Sequence, residues 1–186
     1  IVHYAVQVLA NIACDQHMDE EATIPNYKEF AAQIGDGCPG GVARIVAASG
    51  VDVLRETMHS HLDRPRVLED SLCAMSNLAY STDGIRLLIG RTSAGIIVNV
   101  LRVFSGDSFL FSMALRAVGN LTRCDENIIS VVGCGVIEGI VEGMAKNRGK
   151  PEVLKLAADV IGNLASIDER AIDKKEGIKA LRMGQR

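Results

Sequence analysis

The thiols, imidazoles and clustered glycines of this 186-residue chain are the groups that could hold a metal, a nucleotide or a reacting carbonyl, and their spacing supports none of these. Cys14 and His17 are separated like a ligand pair, Cys38 follows in the same stretch, and His59 and His61 form an HxH. A closed zinc site takes about four ligands in a tetrahedral array, and no pair here has a partner pair at the usual separation. Gly35-Asp36-Gly37-Cys38-Pro39-Gly40 satisfies GxGxxG by letter, but no strand-like segment precedes it and no βαβ pattern surrounds it, so it reads as a flexible loop. No Ser/His/Asp or Cys/His set is arranged for nucleophilic catalysis. The expectation is a non-enzymatic chain with no cofactor and no metal.

The spacing that does carry information belongs to asparagine. Asn77, Asn120 and Asn163 recur every 43 residues, each followed by leucine and preceded by a small residue, Ser76, Gly119 or Gly162. A fixed period of this size marks a solenoid, in which each unit cannot bury its apolar face alone and stacks on its neighbours.

Stepping by the same period aligns Leu68/Phe111/Leu154, Ser71/Ala114/Ala157, Leu72/Leu115/Ala158, Met75/Val118/Ile161 and Leu78/Leu121/Leu164. Within each copy the offsets fall on one stripe of an α-helix, so residues 67–80 and their two counterparts are predicted to be core helices. Residues 1–14 fit the same template, with Asn11 in the asparagine position. Upstream of each core helix, Gly50, Gly95 and Gly135 open apolar runs that read as second helices. Short segments before them, 85–89 and 128–132, read as first helices, with the glycine breaking the chain between the two. The predicted organisation is a third helix of a preceding repeat at 1–14, an insertion at 15–40, repeats at 41–84, 85–127 and 128–170, and the start of a truncated repeat at 171–186. The insertion is either a surface loop or a docking element, with 27–34 reading as a short amphipathic helix. The chain is expected to be an ordered portion of a longer solenoid or complex.

Composition bounds the partners. A net charge of −3 and a pI near 5.8, with no Lys/Arg cluster, argue against nucleic acid. The longest uncharged apolar stretch, 128–137, is about half of what a bilayer-spanning helix needs, and no basic-then-apolar leader opens the sequence, so no membrane span is expected. Five cysteines without a CxxC pair suggest a reducing, cytoplasmic or nucleoplasmic compartment.

Over residues 41–181 and the opening helix, the sequence resembles the armadillo repeat family. The resemblance rests on the three-helix period, the glycine at the first-to-second helix break, the asparagine near the end of the third helix and the segment Ala74-Met75-Ser76-Asn77-Leu78-Ala79. HEAT repeats lack the glycine break and the asparagine ladder. The resemblance implies an all-α, right-handed α-α superhelix of about three full repeats, with partial repeats at both ends, whose third helices line a concave groove. There the asparagine carboxamide, donor and acceptor at once, would bond the backbone of an extended peptide. Asn11, Asn77, Asn120 and Asn163 are the candidates for that role, with capping of local backbone the alternative.

Specificity in such a groove would come from residues one turn away, among them Cys73, Arg116 and Asp159 four positions before the asparagines and Arg123 three after. Import adaptors of the family carry tryptophan four positions before the asparagine; this chain has none, which argues against an import groove. Arg116 and Arg123 share a helix face and could meet a carboxylate, or pair instead with Glu69, Asp70 or solvent. The expected function is a scaffold binding a protein segment or partner. A structural subunit of a cytoskeletal or ciliary assembly, using the insertion and the solenoid ends, is the alternative.

Overall fold

The computed structural model describes residues 40–165, and every regular element among them is an α-helix. In chain order these are α1 (Gly40–Ala47), α2 (Gly50–Ser60), α3 (Pro65–Ser81), α4 (Asp83–Val103), α5 (Ser108–Leu121), α6 (Asp125–Gly133), α7 (Val136–Lys146) and α8 (Pro151–Ala165). The readings of residues 1–39 and 166–186, including Asn11, the insertion and the truncated repeat, lie outside the described residues. The chain divides into two compact units, Ile1–Ser93 and Ala94–Arg186.

In the first unit α1 packs on α2 and α2 on α3. The α3 stripe is fully buried at Leu68, Ser71, Leu72, Met75 and Leu78, as its spacing requires. Burying one such leucine contributes about 2 kcal/mol. Pro65 stands at the start of α3, where its missing N–H is no loss. At the other end the buried Arg86 side chain donates from Nε to the carbonyl of Ala79 at 2.9 Å and pairs with Asp83, tying the last turn of α3 to the first of α4. That satisfies a carbonyl with no partner inside its own helix.

In the second unit α5 packs on α6 and α8, and α7 on α6 and α8. Asp107 caps α5, its carboxylate accepting from the N–H groups of Phe109 (3.0 Å) and Leu110 (3.1 Å). Phe111, Ala114, Leu115, Val118 and Leu121 are all buried. In α8 the buried line shifts to Val153, Ala157 and Val160, while Ile161 of the aligned stripe is 39% exposed and Ala158 is exposed too.

The three core helices begin at Pro65, Ser108 and Pro151, separated by the same 43 residues as the asparagines. The glycine breaks are less uniform. Gly135 behaves as expected: it adopts φ 82°, which glycine alone takes without strain, and α6 and α7 meet there at a bend of 71°. Between α1 and α2 the left-handed residue is Ser49, at φ 59°, one position earlier than expected. Gly50 is needed there for space, because a Cβ would collide with the Ile45 side chain and lie 2.6 Å from the Ile45 carbonyl oxygen.

At Gly95 the expectation fails. The two helices predicted at 85–89 and from Gly95 onward are one 21-residue helix, α4. The reason is visible in its burial: Ile85, Ile89, Ser93, Ile97 and Leu101 follow one another every four residues, each fully buried. An unbroken stripe of that kind outweighs the ~1 kcal/mol that a glycine costs in a helix interior. By length and composition alone α4 is also apolar enough to cross a bilayer, with a mean hydropathy of 1.4. Yet 61% of that window is buried inside the protein, as in the core helix of a folded domain.

Candidate functional site

The asparagine positions lie near the ends of α3, α5 and α8. Asn77, Asn120 and Asn163 are all half-buried. The Asn77 amide donates to Cys73 Sγ at 3.8 Å, a long contact that holds these two predicted site residues together on one turn of α3. Beyond Asn77, Tyr80 is 60% exposed.

In the second unit α5 and α8 are packed neighbours, and Gly119 faces Val160: a Cβ built there would lie 3.4 Å from Val160 Cγ2. Arg116 stands one turn before Gly119, and Asp159 is adjacent to Val160, so both predicted specificity residues flank this contact. Both are exposed, and neither enters an ion pair with any described residue. Arg123 is exposed just past the end of α5. Arg116 and Asn120 thus stand on α5 and Asp159 and Asn163 on its packed neighbour α8. Cys73 and Asn77 belong to the first unit.

Sequence spacing overlooked two surfaces. Phe109 is 58% exposed at the start of α5, and Met113, one turn on, is half-buried, so the face holding Arg116 has an apolar foot. The signal was present: Phe109 falls outside the aligned stripe, and its counterpart one period on is the polar Glu152. The second is a polar cluster joining the loop after α4 to the end of α7. Asn147, buried, donates from Nδ2 to the carbonyls of Ser105 (2.7 Å) and Gly143 (2.8 Å). Lys146 Nζ donates to Ser105 Oγ at 3.0 Å and to Glu142 at 2.6 Å. That hydrogen bond and the ammonium charge hold the Glu142 carboxyl below its ordinary range, with Ser105 and Arg102 adding to the effect.

Burial pushes Cys134 above the usual thiol range, and burial with the Glu126 carboxylate, 3.0 Å away, does the same to Cys124. Among the described residues no three His, Cys, Asp or Glu side chains gather at metal-binding distances.

No family model matches the chain, and no curated protein matches it. Among solved structures it resembles three engineered proteins, Northeast Structural Genomics Consortium targets. OR366 aligns with a TM-score of 0.68 at 24% identity over 96% of this chain and 62% of that one. OR329 gives 0.63 at 27% over 95% and 68%, and OR497 0.62 at 27% over 94% and 40%. The chain therefore spans about three fifths of the first of these structures and less than half of the third. The likeness is one of fold, an all-helical arrangement consistent with a helical repeat.

Proposed function

We propose that this chain is an armadillo-type repeat protein, a right-handed α-α superhelix that acts without catalysis and binds an extended protein segment along the faces of α3, α5 and α8. The observation carrying this reading is that three helices starting 43 residues apart each place a half-buried asparagine at the same point near their end. A guest backbone, offering N–H and C=O in alternation, suits a carboxamide repeated at a fixed spacing. The surrounding residues change from helix to helix, Cys73, then Arg116, then Asp159, which suits a fixed backbone grip with variable side-chain selection. No nucleic acid, membrane or cofactor is part of this reading, and its setting is a larger cytoplasmic complex or a longer chain.

A second reading, a structural subunit joined to others through its flanks, draws on Ile137 and Val141 of α7, 44% and 59% exposed, and on Ile161 of α8. The two are separated by affinity capture from native lysate with wild type and with Asn77→Ala, Asn120→Ala and Asn163→Ala combined. The groove reading predicts loss of most captured partners while circular dichroism stays unchanged. Undiminished capture by the folded variant would refute it and leave assembly through the flanks.

A further inference from the structure

The two helices around the Gly119–Val160 contact carry opposite charge. On α5 the exposed face holds Arg116, with Arg123 just beyond its end, and the helix has no acidic residue. Asp107, which precedes it, is committed to capping two N–H groups, and the next carboxylates, Asp125 and Glu126, stand in the first turn of α6. On α8 the exposed charged residues are Glu152 and Asp159 against a single Lys155, and none of the three enters an ion pair with a described residue. Neighbouring helices that close together would ordinarily neutralise such charges across the contact. Here Arg116 and Asp159 flank the contact without bonding, so each keeps its hydrogen-bonding capacity for something else.

Resting on the groove reading, we propose that this face selects a segment of paired opposite charge: a carboxylate of the guest on Arg116 of α5 and a lysine or arginine of the guest on Asp159 of α8. Helix axes in contact are about 8–10 Å apart. An extended guest rises about 3.3 Å per residue and turns alternate side chains to the same side. The two guest charges are therefore two or four residues apart. The guanidinium takes a carboxylate in a forked pair, which fixes direction as well as charge, and Phe109 and Met113 give an apolar side chain next to the acidic one a surface to rest on. A guest threaded with its charges reversed would set like against like at both positions.

The test selects from a random linear peptide library displayed on phage, using the whole 186-residue chain and, in parallel, Arg116→Asp combined with Asp159→Arg. Both positions are exposed, so the variant is expected to fold, with thermal unfolding as the check. Wild type should enrich peptides with an acid and a base two or four residues apart in one fixed order, and the swapped variant should enrich the opposite order. For a single selected peptide, Arg116→Asp should weaken binding by about tenfold or more, and raised salt should shrink that difference. Selected peptides with no ordered charge pair, or the same order from both proteins, overturn the proposal. If such unordered peptides still lose binding with Asn120→Ala and Asn163→Ala, the groove reading survives and only the charge assignment falls. If no peptides are enriched by either protein, both fall together.

Discussion

Asn147 and Ser105 lie 42 residues apart in sequence and are joined by one short bond, 2.7 Å from the buried Asn147 side-chain amide to the Ser105 carbonyl. The same amide donates to Gly143 inside its own helix. One side chain thus ends α7 and fastens the loop before α5 to it. Asn147→Ala would strand the carbonyl oxygen of the buried Ser105, while the Gly143 carbonyl keeps the Asn147 backbone N–H at 3.0 Å, and the expected cost is about 1–3 kcal/mol in a urea unfolding experiment. Asn147→Asp should cost at least as much at neutral pH, because a carboxylate cannot donate. A variant with wild-type stability would show that the loop finds other partners.

The glycines of the second unit should respond oppositely to alanine. At Gly143 a Cβ would run into the fully buried Phe111 ring, its Cε1 atom 2.7 Å away and two other ring atoms closer still. Gly143→Ala is expected to cost about 1–3 kcal/mol, and Phe111→Leu in the same chain should recover part of the loss. Gly162 is exposed within α8 and meets nothing within 4 Å. Gly162→Ala should raise stability by roughly 0.5–1 kcal/mol, read as an increase in the urea midpoint.

The depressed Glu142 carboxyl sets a direction for pH. Its folded value lies below its unfolded one, so its contribution is present above the ordinary carboxylate range and is lost as pH falls through the folded value. Lys146→Met removes the leading cause and should return the Glu142 titration toward the ordinary range, followed by NMR of the side-chain carboxyl carbons. An unmoved titration would assign the effect to Ser105 and Arg102 instead. The residue is fully exposed, so the change in overall stability should be small.

What the sequence made legible was whatever repeats at a fixed spacing. Leu68, Leu72 and Met75 could be placed in the core by their offsets alone, because a helix turns every 3.6 residues wherever it stands. The start of each core helix followed from the same period. Gly95 stays inside a helix because a glycine permits a break without requiring one, and the buried line from Ile85 to Leu101 continues past it. The departure at Ser49 is of the same kind: Ile45 occupies the space that a side chain at position 50 would need. At the candidate site, the residue types could be named but not their company. That Arg116 and Asp159 flank one helix contact depends on the Gly119–Val160 approach, which the period alone does not specify.

The account turns on the carboxamides meeting a guest backbone. The most direct measurement is a ¹⁵N–¹H spectrum of the side-chain NH₂ groups, assigned through Asn120→Ala and Asn163→Ala, recorded as a peptide selected by the chain is added. The account predicts that the Asn120 and Asn163 signals shift in a saturable way at the same midpoint as the Arg116 guanidinium signal. Saturable binding that leaves both asparagine signals in place while backbone signals of α7 move would contradict it.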